Sequence, residues 1–336
     1  MKAKWPVLLL NVIVLAGCSS MGPGEKGGKV SILTDLDPAS ADRTVIVESI
    51  AADKQGRLYL PDRVSGNILR VDPKSPKAVV VARIEAREIK GKKVNADAAG
   101  IEFSPQGDLF IAVGPFSEVV RVKAADLDPQ KTGKAETFAT GAEGANGITF
   151  DKQGNLYIAG GRSGKIYRVG SGGGGSAQAV AEIATFSRTL PDGKTQQAIV
   201  ANGIAFDAKG ILHVSDTARG SIWKIAIGGD GKAGKPQILA ENPLLEGADG
   251  LAFDKTGKLW VVANERNALL TVTSDGKIEE VAKNDGKGPL EFPSAIIFVG
   301  DTAYVSNFDN PRRDNMDANG KTALDGIGAS IAQVTP

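Results

Sequence analysis

Four side chains with oxygen donors stand at a single register of this sequence. Glu48, Asn146, Asn202 and Asp249 each lie eight residues before a glycine, namely Gly56, Gly154, Gly210 and Gly257. Ala99 holds the same place before Gly107, and Ser294 holds the matching place in a degenerate sixth copy. The next residues are Gly, Ser or Ala, and Ile, Leu and Phe follow. Two carboxylates and two carboxamides that converge suit a hard cation. Calcium takes oxygen ligands from Asp, Glu, Asn and water and leaves positions open. Asn and Asp also cap turns before strands, which is the plain alternative, yet a turn has no reason to select Glu48. A cation held in this way polarises a carbonyl or phosphoryl oxygen, and a carboxylate beside it can take a proton from water.

That register exists because the chain repeats itself. Segments 48–60, 99–111, 146–158, 202–214 and 249–261 are versions of one pattern, and a degenerate version runs over 294–305. The pattern is an apolar run, a turn such as Asp151 to Gly154, and a second apolar run. Gly in the turn suits a positive φ between two strands. A third strand follows at 67–71, 119–122, 165–169, 221–225 and 268–272, and runs such as 78–82 and 237–240 supply a fourth. Four short strands in a unit of about 50 residues make a propeller blade. The strands are apolar on both faces, as a sheet between two sheets must be. No amphipathic helix of any length is visible.

The expected fold is therefore all-β, a six-bladed β-propeller. The last strand, 329–334, lacks an outer neighbour, and 29–33 is left over near the start. The expectation is that this N-terminal strand closes the sixth blade. Closure removes a free edge and makes 29–336 one domain. In such a ring the starts of the inner strands converge on the mouth of the central channel, which brings the four donors together.

Over residues 30–335 the sequence resembles the senescence marker protein/gluconolactonase family of calcium-dependent six-bladed propellers. The resemblance rests on Glu48 in the first blade, Asn146 in the third, Asn202 in the fourth and Asp249 in the fifth, in that order. It implies that Glu48, Asn202 and Asp249 hold the metal most directly. Asn146 would bind metal or substrate, and Asp249 would serve as general base. Calcium would then polarise a lactone or ester carbonyl, and a phosphoester is open to the same constellation. The family pattern has an Arg two residues before the third-blade Asn, where it contacts the sugar. Here that place is Gly144, which puts sugar specificity in doubt.

Loops between second and third strands open on the same face as the ring. They carry Arg63, Arg162, Arg219 and Arg266, with Phe116 in the matching loop of the second blade. These arginines form a cationic rim suited to an anionic substrate or a product carboxylate, or they are ordinary solvated turn residues. Two long insertions, 183–200 and 309–328, fall on this face and could serve as lids. Asn315, Asp317 and Asn319 faintly resemble a calcium loop, but Gly326 stands where its closing Glu belongs. His213 is the only histidine and is expected to be structural. The run 170–176 is expected to be a flexible loop.

The start of the chain reads as an address. Lys2 and Lys4 precede an apolar stretch too short to span a bilayer, and it ends at Leu15, Ala16, Gly17 and Cys18. This resembles the bacterial lipobox, with 1–17 a signal peptide, Cys18 the lipidated residue and 18–28 a tether. The protein is then expected at the cell envelope, periplasmic or extracellular, meeting the membrane through the lipid anchor alone. One Cys excludes an internal disulfide, and one His nearly excludes a multi-histidine zinc site. Forty Lys and Arg against 39 Asp and Glu provide no field for nucleic acid. The partner expected is a small molecule, and the expected state is a monomer. Two functions stand at this point: a calcium-dependent lactone or ester hydrolase, and a non-catalytic envelope propeller that binds a ligand or protein.

Overall fold

The second strand of each repeat is the most apolar segment of the chain, and its residues pack alternately into two different interfaces. In a computed structural model that describes residues 29–38, 43–190, 193–285, 287–309 and 326–335, Leu58 and Leu60 pack against Tyr304 and Ile331 of one neighbouring blade. Tyr59, between them, packs with Ile101 and Ile111 of the other. Leu156 and Ile158 likewise join Phe110 and Phe138, while Tyr157 and Ala159 join Leu212 and Val214. Burial on both faces is why these strands read as unbroken apolar runs. The stabilisation sits between blades, so each sheet depends on its neighbours.

The described strands form six blades of four antiparallel strands about an axis, with two separate hairpins, Arg87–Ile89 with Lys92–Val94 and Ser187–Thr189 with Thr195–Gln197. A fifth strand, Gly133–Lys134, adds parallel to the outer strand of the first blade. In the sixth blade the order from the axis outward is Pro293–Val299, Thr302–Asn307, Ser330–Thr335 and Lys29–Asp35. Lys29 lies opposite Thr335 and Asp35 opposite Ser330. The N-terminal strand thus closes the ring as the sequence indicated. The four described helical elements are single 3₁₀ turns.

The glycines after the ring residues have a specific cause. A Cβ on Gly147 would lie 2.3 Å from the carbonyl oxygen of Asn202 in the next blade. On Gly203 it would lie 2.3 Å from the carbonyl oxygen of Asp249, and on Gly100 the same distance from that of Asn146. Gly147 N–H also donates to Asn202 O at 3.2 Å, and Gly100 N–H to Asn146 O at 3.2 Å. The inner strands therefore touch backbone to backbone where they reach the channel mouth, and a side chain there would push the blades apart.

One expectation changes, and others fall outside the described residues. The run 170–176 docks on the second blade: Gly174 N–H donates to Phe138 O at 2.9 Å, and Thr140 N–H to Gly175 O at 3.3 Å. Gly supplies the close approach there, not slack. Residues 1–28, including Cys18 and the tether, lie outside the described residues, as does the segment holding Asn315, Asp317 and Asn319. Among the described residues no helix is long and apolar enough to cross a membrane.

Gly147→Ala is expected to lower stability by about 2 to 3 kcal/mol, the cost of overpacking a closed site. Gly170→Ala, where an added Cβ meets nothing within 4 Å, should change it by less than about 0.5 kcal/mol. Denaturant unfolding of the two variants compares them, and equal effects would contradict the close-packed ring.

Candidate functional site

Each ring residue enters the first strand of its blade, and Glu48, Asn202 and Asp249 are each served by a residue fifteen positions later, where the second strand ends. Asn264 Nδ2 donates to Asp249 Oδ2 at 3.0 Å. Asn202 Nδ2 donates to Thr217 Oγ1 at 2.9 Å, and Thr217 Oγ1 in turn donates to Ala248 O at 2.7 Å. Arg63 Nη1 donates to Glu48 Oε2, while its Nε donates to Asp97 Oδ1 at 2.6 Å. The hairpin geometry of the blade sets this spacing, because the end of the second strand folds back beside the start of the first. In the third blade the fifteenth position is Gly161, so Asn146 has no such partner.

The result is a cleft of about 370 Å³ at the channel mouth, lined by Glu48, Asn202 and Asp249 together with Asn264, Thr217 and Arg63. Asn146 is half-buried at the same register but is not among the lining residues. Three of the four expected donors are thus brought into one cleft. Ser215 fixes the backbone beneath them: its fully buried Oγ accepts from Gly203 N–H at 2.7 Å and donates to Asp249 O at 2.5 Å.

The electrostatics of the cleft are unbalanced around Asp249. It is 6% exposed, and burial pushes its carboxyl up to about 8, only partly opposed by the Asn264 hydrogen bond and the Arg63 charge. Beside it, Asn264 Oδ1 is buried without a hydrogen-bond partner. A buried carboxylate whose burial the Arg63 charge only partly offsets, next to an unsatisfied carbonyl oxygen, is costly unless a cation completes the set. The donors are all oxygen, with neither sulfur nor imidazole, which matches calcium or another hard divalent ion. Among the described residues no three His, Cys, Asp or Glu side chains are placed to hold a metal ion together; the ring set combines the carboxylates Glu48 and Asp249 with carboxamides.

The expected arginine rim is only half present. Arg63 and Arg162 line the cleft, but Arg219 and Arg266 do not. Arg219 pairs with fully buried Asp216 at 2.7 Å and donates to the carbonyls of Ala184 and Thr185 at 2.8 and 3.0 Å. Arg266 pairs with Glu280 at 2.9 Å. The reason is register. Arg63 stands fifteen residues after its ring residue, Arg162 sixteen, and Arg219 and Arg266 seventeen, so the four do not share one register. The cleft takes its third arginine, Arg188, from the insertion 183–200. That insertion is a hairpin, Ser187–Thr189 with Thr195–Gln197. Phe186, Phe292 and Phe308 line the cleft as well, and Phe308 carries the Arg63 guanidinium at 5.3 Å from its ring. His213 is structural: it is 7% exposed and meets Phe253 edge-on at 5.1 Å.

Comparison with known proteins agrees with this architecture. Residues 177–307 match the family described as SMP-30/Gluconolactonase/LRE-like region. A 6-deoxy-6-sulfogluconolactonase of Pseudomonas putida is 27% identical over 115 residues, which is 32% of this chain and 38% of that protein. The match therefore spans well under half of that relative. Among solved structures, a calcium-binding protein, regucalcin, from Agrobacterium tumefaciens superposes with a TM-score of 0.60 at 15% identity, over 91% of this chain and 93% of that one. A gluconolactonase from Xanthomonas campestris gives 0.57 at 16% identity, over 92% and 90%. At these identities the structures speak for the fold. The segment 177–307, which supplies Asn202 and Asp249 with their partners Thr217 and Asn264, matches the SMP-30/Gluconolactonase/LRE-like region and lies within a six-bladed propeller.

Proposed function

We propose that this protein is a divalent-cation-dependent hydrolase of lactones or related esters, with calcium the expected ion. The observation that carries the reading is the buried, uncompensated Asp249 carboxylate in one cleft with Glu48 and Asn202. The sulfogluconolactonase relative and the family match of the second half of the chain support it. Held by Glu48, Asn202 and Asp249, the ion would supply Lewis acidity toward the carbonyl oxygen of a bound lactone.

The chain's own groups do the rest. Thr217 occupies the Asn202 amide nitrogen, so Asn202 Oδ1 is the atom left to coordinate. Asn264 holds Asp249 Oδ2, so Oδ1 is left to take a proton from the attacking water. The water oxygen adds to the carbonyl carbon, and the ring C–O bond then breaks. The departing alkoxide recovers the proton from Asp249, and the product is a hydroxy acid. Cation binding keeps Asp249 ionised and limits its basicity. Phe186, Phe292 and Phe308 offer apolar walls that reduce water around the reacting bond. Lipidation at Cys18 would hold this activity at the cell envelope, where the leader sequence directs it.

A second reading, a propeller that binds without turnover, draws on the pairing of Glu48 with Arg63 and on Gly144 in place of the sugar-contacting Arg. One assay separates the two. Glucono-1,5-lactone and a panel of γ-lactones and aryl esters are tested with calcium and with chelator. The hydrolase reading expects calcium-dependent turnover that falls at least about 100-fold in Asp249→Ala. Turnover absent throughout, or equal in chelator, would leave only the binding role.

Asp249 also sets a pH signature. Its folded pKa of about 8 stands above the value near 4 of an unfolded carboxyl. The folded state therefore holds the extra proton across that window, so metal-free stability is full below it and falls as pH rises toward 8. Melting of chelated protein should decline more steeply with pH for the wild type than for Asp249→Asn. Parallel curves would contradict the burial of an uncompensated carboxyl.

A further inference from the structure

The hairpin in insertion 183–200 is fixed rather than free. Arg219 of the fourth blade donates to the carbonyls of Ala184 and Thr185 at its base, and the Arg219 guanidinium lies 5.2 Å from the Phe186 ring. Arg162 of the third blade donates through Nη1 to Gln197 O on its second strand. Two blades thus clamp the hairpin over the channel mouth. Its own arginine, Arg188, lines the cleft beside Arg162. Neither Arg162 nor Arg188 has a carboxylate partner among the described residues, whereas Arg63, Arg219 and Arg266 each have one.

A guanidinium stays charged at any working pH, and its planar fork matches two oxygens of a carboxylate, sulfonate or phosphate. Arg162 is already oriented by the Gln197 carbonyl, so it loses less freedom on binding an anion. The charge balance points the same way. Among the described residues that line the cleft, Glu48 is paired with Arg63. A divalent cation held at Asp249 would therefore leave the positive charge of the hairpin wall unanswered. The ring residues are committed to the cation and the scissile carbonyl, so this wall is available for a different part of the same molecule.

We propose that Arg188 and Arg162 form a subsite for an acidic substituent, and that the preferred substrate is a lactone bearing a carboxylate, sulfonate or phosphate away from its ring carbonyl. The proposal rests on the hydrolase reading above but concerns specificity alone. It also accounts for Gly144: where the family pattern uses an arginine beside the third-blade Asn, this chain brings its arginines from the neighbouring loop and the inserted hairpin.

The test compares glucaro-1,4-lactone, which carries a carboxylate, with neutral glucono-1,4-lactone, using calcium-loaded protein. The expected kcat/KM ratio favours the acidic lactone by at least about tenfold, and Arg188→Gln should lower that ratio by at least about tenfold. Arg188→Lys should retain part of it. Calorimetric titration of glucaro-1,4-lactone reads the same subsite without turnover, with weaker binding expected in Arg188→Gln. A ratio near one, or one that Arg188→Gln leaves unchanged, overturns the proposal while the hydrolase stands. If Arg188→Gln instead relieves only inhibition by gluconate, the arginines serve the product carboxylate and the proposal also fails. If neither lactone is hydrolysed, the hydrolase reading falls, and the titration alone upholds or overturns the subsite.

Discussion

An unbalanced charge at the channel mouth governs the site. Asp249 is buried by the packing of six blades around an axis, and among the described residues no cationic side chain is hydrogen-bonded to it. Folding can tolerate such a group in two ways: it can keep the carboxyl protonated, or it can recruit a cation. Both are compatible with the neighbouring groups. Asn264 supports the ionised form through one oxygen, and its own carbonyl oxygen waits unsatisfied beside it. The other carboxylate, Glu48, already has Arg63 as a countercharge. The two acids therefore play different parts. In the proposed site Asp249 creates the demand for a cation, while Glu48 would be a ligand whose charge Arg63 offsets.

The blades make this possible through their closeness. Backbone meets backbone where the inner strands start, which is why small residues follow the ring residues and why a few donors from separate blades can share one ion. The same hairpin repeat that delivers a ring residue also delivers a second-strand residue fifteen positions later. Evolution of the site can then proceed at two coupled registers. The first carries the donor, and the second carries whatever orients or neutralises it: Asn for Asp249, Thr for Asn202, Arg for Glu48.

Much of this was visible in the sequence because repetition aligns residues without a structure. The six blades, the closing N-terminal strand and the ring register all follow from matching segments. The supporting register was hidden because its residues share no chemical type; Arg63, Thr217 and Asn264 look unrelated until they are seen in contact. Asn146 looked equivalent to Asn202 in sequence, yet Gly161 gives it nothing to lean on. The arginine rim was misjudged for a related reason. Arg162, Arg219 and Arg266 sit one or two residues further into equivalent loops than Arg63 does, and two of them are engaged elsewhere. Arg188 lies in an inserted hairpin whose described counterpart is Arg87–Ile89 with Lys92–Val94 before the second blade, so a pattern repeated in every blade could not find it. The glycines of 170–176 signalled slack by composition and turned out to permit docking on Phe138 and Thr140.

The central claim is that three donors from three blades, with Asp249 foremost, grip a single divalent ion. Isothermal titration of calcium into chelator-treated protein tests it most directly. The account predicts one saturable site per chain that disappears in Asp249→Ala, weakens strongly in Glu48→Ala and Asn202→Ala, and persists in Asn146→Ala. Absent binding in the wild type, or binding indifferent to Asp249, would contradict it.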